Sequence, residues 1–199
     1  MQKIIGITGG TGCGKTTALQ ALKNLGVHVI DCDGLYHQML ESSGEMVHAI
    51  GEIFPDAVEN GSLQRKRLGK QVFGDEAALQ LLNRTVWPFV VEETKKIVAS
   101  HAPQPCAIDA IGLLESGLGE LCTHTVAITA PEEIRVKRLM ARDNISEDYA
   151  RLRISAQKKN EVFAAACGLT IENTDSCAAD FQSRCTAIFE TLLKEDATK

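Results

Sequence analysis

A chain of 199 residues, 44% of them hydrophobic and 24% charged, is long enough to bury one sizeable core and too apolar to be disordered. Its formal charge of −5 argues against a sequence-independent hold on nucleic acid, which needs many phosphates neutralised by Lys and Arg. The seven cysteines are an odd number without a CxxC pair or a neighbouring ligand histidine; they support neither a disulfide framework nor a structural zinc site, and they fit a reducing, cytoplasmic setting.

The first predicted strand is KIIGIT at 3–8, entered without the basic segment and long apolar run of a secretory signal; no later stretch is apolar for long enough to span a bilayer. GGTGCGKTT follows at 9–17. From Lys15 the apolar residues Ala18, Leu19, Ala21, Leu22 and Leu25 recur at three- and four-residue spacing, which predicts a helix that Gly26 ends. VHVID at 27–31 is the second strand. Residues 33–100 change texture, with helical spacing, many charges and almost no β-branched runs, and read as an inserted helical segment. Trp87-Pro88 predicts a break inside it and a new helix over 88–99, because the residue before proline is pushed out of helical geometry.

The sheet resumes with CAID at 106–109 and TVAIT at 125–129. Pro131, Glu132 and Glu133 open a helix that carries Arg135, Lys137, Arg138 and Arg142 and ends near Asp143-Asn144. Ser146, Glu147 and Asp148 open the next, giving a basic αα hairpin. LTIEN at 169–173 is the last strand and 178–194 the closing helix. Strands alternating with amphipathic segments predict an α/β fold with a parallel sheet covered by helices. The basic runs at 65–67, 95–96 and 158–159 are short and read mainly as solvated faces.

Gly9-x-x-x-x-Gly14-Lys15-Thr16 has the spacing of a phosphate-binding loop and lies between a predicted strand and a predicted helix, where that chemistry needs it. Residues Gly10, Thr11, Gly12, Cys13, Gly14, Lys15, Thr16 and Thr17 would aim successive N–H groups at phosphate oxygens, Lys15 would reach the β- and γ-phosphates, and the Thr16 hydroxyl would ligate Mg2+. The other reading is a flexible turn with a lone surface lysine. No guanine-reading NKxD follows, which favours ATP.

The acceptor chemistry must come from elsewhere. Asp31 and Asp33 stand where the second strand ends, the edge at which open parallel sheets bind ligands, and Asp33 is either a general base or a helix cap. Asp109, at the end of the third strand, either orders magnesium through water or is a buried structural acid. Arg138 and Arg142, four apart on one helical face, either close over the transferred group or face solvent. Cys13, beside so many N–H donors, is either a redox brake or a small filler.

Taken together these residues closely resemble the dephospho-CoA kinase family over nearly the whole chain. The family's GLTGGIGSGKST appears as GITGGTGCGKTT at 6–17 and its VIDAD as VIDCD at 29–33. NGSLQRKRLGKQVFGD at 60–75, LLNRTVWP at 81–88, IDAIGLLESG at 108–117, RLMARD at 138–143, RISAQ at 153–157 and IEN at 171–173 follow in the family's order. The resemblance implies a P-loop kinase: a three-layer α/β/α core with a five-stranded parallel sheet (1–32, 101–135 and 165–199), a helical CoA-binding insertion (33–100) and a lid (136–164). It implies ATP and Mg2+, with dephospho-CoA as a small-molecule acceptor phosphorylated on its ribose 3′-hydroxyl. Nucleic acid and membrane are not expected as partners, and a monomer or small homo-oligomer is.

By the same match Asp33 takes the family's base, Arg138 and Arg142 belong to the lid over ATP, and Asn173 lies near the adenine. The sequence departs from the family at Tyr36 and His37, at Trp87 and at Cys167-Gly168. These departures remove an expected arginine and histidine from the acceptor side. They keep open a related kinase of nucleosides or nucleotides, and an ATP-binding regulatory protein without transfer activity.

Overall fold

In the computed structural model of the chain, residues 1–175 and 177–195 are described. They form two units, Met1–Ile30 with His101–Lys199, and Asp31–Ser100.

The first unit is organised by β1 (Ile4–Thr8), the middle strand of a parallel sheet in the order β2 (His28–Asp31), β5 (Cys106–Asp109), β1, β6 (His124–Thr129), β7 (Leu169–Glu172). Ile4 pairs with Cys106 on one side, and Ile5 with His124 on the other. Both faces of β1 are covered, so its run is apolar as far as Thr8 rather than alternating. Ile5 and Ile7 pack with α1 (Lys15–Asn24) and α9 (Ala178–Lys194) around Ala18, Leu22, Phe181 and Phe189. On the opposite face a Cβ on Gly6 would lie 2.7 Å from Cys122 Sγ and 2.8 Å from Leu113, so that layer closes directly on the strand.

Helix α1 ends as its sequence predicts. Gly26 is left-handed (φ 78°); its N–H bonds Lys23 and that of Val27 bonds Leu22, the two bonds of a Schellman cap. Helix α6 (Glu132–Asp143) stops at Asn144 (φ 52°), and α7 (Glu147–Ser155) is capped by Ser146, whose hydroxyl accepts from Tyr149 N–H. The two helices share a small core of Val136, Leu139, Ala150 and Ile154. A short α8 (Asn160–Ala166), which the sequence reading does not contain, leads into β7.

The second unit holds α2 (Cys32–Ser42), α3 (Gly44–Ile53), α4 (Arg65–Val72) and α5 (Glu76–Ser100) around Leu40, Met46, Ile50, Phe54, Leu68 and Val86. The predicted break at Trp87-Pro88 does not occur: α5 runs unbroken through Pro88. Leu82, Val86, Val90, Thr94 and Val98 form a buried stripe at four-residue spacing on both sides of the proline. Pro88 and Arg84, whose carbonyl loses its N–H partner, are both exposed, so water can serve that carbonyl. Burial of one continuous stripe thus overrides the local preference. A two-stranded hairpin, β3 (Val58–Glu59) and β4 (Ser62–Leu63), turns through Asn60 and Gly61, both at positive φ. Asn-Gly is the hairpin signal the sequence reading passed over.

Arg65 pairs with Glu41, Arg67 with Glu59, Lys95 with Glu92 and Lys96 with Glu93, and Lys158 pairs with Glu115, so these basic runs lie in surface ion pairs. Among the described residues no helix is long and apolar enough to cross a membrane.

Candidate active site

The loop between β1 and α1 is built so closely against its neighbours that a side chain is excluded at Gly9 and Gly14. A Cβ on Gly9 (φ 142°) would lie 2.1 Å from the Ile128 carbonyl oxygen; one on Gly14 (φ 104°) would lie 2.2 Å from Asn173 Nδ2. Gly14 is also the N-cap of α1, which begins with no capping side chain and no acid in its first turn. The positive end of that helix dipole is therefore left for an anion.

A cleft of about 700 Å³ opens over the loop. Lys15, Arg138, Arg142 and Arg153 line it, Thr16 reaches it, and no carboxylate is among its described lining residues. Lys15 Nζ lies 2.9 Å from Asp109 Oδ1, so the strand-end acid is an ion-pair partner of the loop lysine.

Arg138 turns towards the loop. Its Nη1 donates to the carbonyls of Gly12 (3.3 Å) and Cys13 (3.4 Å), and its Nη2 to Asn173 Oδ1 (3.0 Å). Asn173 is buried; its Nδ2 donates to Cys13 O at 2.9 Å and its backbone N–H to Thr129 O at 2.7 Å. The structure thus places Asn173 against the phosphate loop, with its side-chain amide engaged by Cys13 and Arg138.

Arg142 grips Asp143 through Nε (2.7 Å) and Nη2 (2.9 Å), and Arg153 Nη1 meets the same carboxylate at 2.5 Å. The two guanidinium groups, Arg142 foremost, hold the Asp143 carboxyl well below the usual range. Cys13 has no exposed surface, and burial pushes its thiol up against the opposing pull of Arg135. A buried, neutral thiol fits a filler and not a reactive sensor.

Asp33 lies in the first turn of α2 and is exposed. The capping role that its sequence position suggested belongs to Asp31, whose Oδ1 accepts from Gly34 N–H at 2.9 Å. Of the residues that depart from the family pattern, Tyr36 and Trp87 pack partly buried on the core of the second unit. Gly168 donates its N–H to Thr125 Oγ1 at 3.0 Å.

Sequence reasoning missed Arg135, Gln157, Asn160 and Arg153 as site residues. Arg135 was legible only as one charge of a basic helix, although its three-residue spacing from Arg138 puts both on one face. Gln157 and Arg153 close and open the RISAQ stretch, whose polar ends gave the available signal.

A family profile described as dephospho-CoA kinase matches residues 3–179. A dephospho-CoA kinase of Dehalococcoides mccartyi is 35% identical over 176 residues, covering 86% of this chain and 88% of that protein. A crystal structure from Thermus thermophilus is 31% identical with a TM-score of 0.78, covering 98% of this chain and 99% of that one. A dephospho-CoA kinase from Campylobacter jejuni has the same fold at 22% identity, with a TM-score of 0.59 over 96% of this chain and 97% of that one.

Proposed function

The chain belongs to the dephospho-CoA kinase family, and we propose that it transfers the γ-phosphoryl group of ATP to the ribose 3′-hydroxyl of dephospho-CoA. The observation that carries this reading is the cleft itself, in which a glycine loop, an uncapped helix start and four cations face one space with no carboxylate among its described lining residues, although Asp109 pairs with Lys15 and Asp143 with Arg142 and Arg153 behind them. That is the charge pattern a triphosphate needs.

Lys15 and the loop amides bind the phosphates, apart from the Thr11 N–H, which the sequence expectation aimed at phosphate and which instead donates to Gln157 Oε1; Arg138 and Arg142 offset the charge that develops on the moving group. Asn173 supports the nucleotide site by fixing Arg138. Asp33 accepts the proton of the acceptor hydroxyl. Residues 33–100 serve as the acceptor-binding insertion and 136–164 as the lid. The Thr16 hydroxyl and Asp109 carboxylate are hard oxygen donors that suit Mg2+. Among the described residues no cage of three or more His, Cys, Asp or Glu exists, so these two oxygens would hold the ion together with the phosphates. When bound, magnesium neutralises phosphate charge.

A coupled assay with dephospho-CoA, nucleosides and nucleoside monophosphates tests the acceptor. Phosphorylation of dephospho-CoA alone is expected; a preference for a nucleoside or nucleotide would overturn it, and ATP binding without any transfer would mark a regulatory protein. Asp33→Asn should cut turnover by about a hundredfold or more while leaving ATP affinity within about threefold. Unchanged turnover would remove Asp33 from the role of base.

A further inference from the structure

Both backbone polar groups of Thr11, one in each of the two peptide units that meet at its Cα in the middle of the phosphate loop, are engaged by side chains from α6 and the segment after α7. The Thr11 N–H donates to Gln157 Oε1 at 2.7 Å, and its carbonyl accepts from Arg135 Nε at 2.9 Å. Arg135 is only 3% exposed. Its Nη1 and Nη2 stand 3.5 Å from Asn160 Oδ1 and from the same Gln157 oxygen, while Asn160 Nδ2 is anchored on Ala130 O at 2.8 Å.

All of these acceptors are neutral, and among the described residues no carboxylate pairs with Arg135, a costly arrangement for a buried cation. The loop is also cut to fit this arginine. A Cβ on Gly10 would come within 2.6 Å of Arg135 Nη2, and one on Gly12 within 3.1 Å of the Arg135 carbonyl oxygen. Two of the loop's glycines therefore make room for Arg135.

We propose that Arg135 and Gln157 are positioning residues for the phosphate site, which hold the Thr11 backbone from both sides so that its N–H is turned to Gln157 and the loop is set before nucleotide arrives. This rests on the reading of the cleft as an ATP site. The benefit is preorganisation: a loop already fixed loses less entropy on binding.

The test combines amide hydrogen exchange of the ligand-free protein with equilibrium titration of ATP. Gln157→Ala should speed Thr11 exchange and weaken ATP binding, each about tenfold, the usual size of one lost hydrogen bond. Gln157→Glu, which keeps the acceptor oxygen, should restore Thr11 protection. Because both side chains hold the backbone of one residue and also touch each other, Arg135→Lys added to Gln157→Ala should cost less affinity than the product of the single losses. Unchanged Thr11 exchange in Gln157→Ala, or fully multiplicative losses, would overturn the proposal. If Arg135→Lys does not fold, the two Gln157 variants decide. Should the unaltered protein fail to bind ATP, the kinase reading falls, whereas Thr11 exchange still decides whether the peptide is held.

Discussion

Asn173 joins three parts of the site: its buried side-chain amide meets Cys13 O through Nδ2 and receives Arg138 at Oδ1, and its backbone N–H bonds Thr129 O. Asn173→Ala would leave the Cys13 carbonyl with only the 3.4 Å contact from Arg138 and would free Arg138 from its short partner. A buried acceptor stripped of its better donor costs about 1–3 kcal/mol, so the urea midpoint should fall accordingly, and an unchanged midpoint would show that water replaces the amide. Such residues differ in how far the sequence betrays them. Lys15 and Thr16 were legible because the loop geometry fixes their spacing from Gly9. Asn173 was legible only from the order of motifs, since one asparagine after a strand carries no physical signature. Arg135 was not legible as a loop partner, because its distinguishing property is burial without a carboxylate, and burial depends on tertiary packing.

At the scale of the element, α5 exposes a contest between backbone chemistry and packing. Pro88 removes one helical hydrogen bond and crowds the preceding turn, at about 3 kcal/mol in a helix interior. The buried stripe from Leu82 to Val98 keeps the helix whole nonetheless. Replacing Pro88 by Ala should restore an N–H to the Arg84 carbonyl, offset in part by the greater freedom of the unfolded chain, worth about 1 kcal/mol. A net stabilisation of about 1–2 kcal/mol is therefore expected in chemical denaturation, and a destabilised variant would mean that the proline ring packs favourably. The strands and the caps at Gly26, Asn144 and Ser146 were readable because each rests on a local rule. The break at Pro88 was misread because a local rule met a non-local stripe, and the hairpin was missed although Asn60-Gly61 signals it. Helix α8 gave little to read, since seven residues show barely two turns of periodicity.

Across the whole molecule, the change in texture after residue 32 was visible because helical spacing replaces β-branched runs, and the structure groups Asp31–Ser100 as a unit with its own core. The thiols give the first unit a pH dependence that spacing alone could not reveal. Cys13 and Cys185 lie in the core around β1, α1 and α9, and Cys106 is buried on β5. Burial raises all three, Cys185 from an ordinary 9.0 to about 11, because a thiolate would have to form away from water. A group whose pKa is higher folded than unfolded adds stability that is whole below the unfolded value and is lost as pH rises through the folded one. For Cys185 the window runs from 9.0 to about 11, and the loss is on the order of 2 kcal/mol. Lysines and tyrosines titrate in the same range, so the wild-type protein alone cannot isolate this effect. Cys185→Ala supplies the comparison: it should be less stable at about pH 8, where it only loses packing, and the gap should narrow by about pH 10.5, where the wild-type thiol becomes a liability. A gap in urea midpoint that stays constant across that range would show that the Cys185 thiol reaches water in the native state.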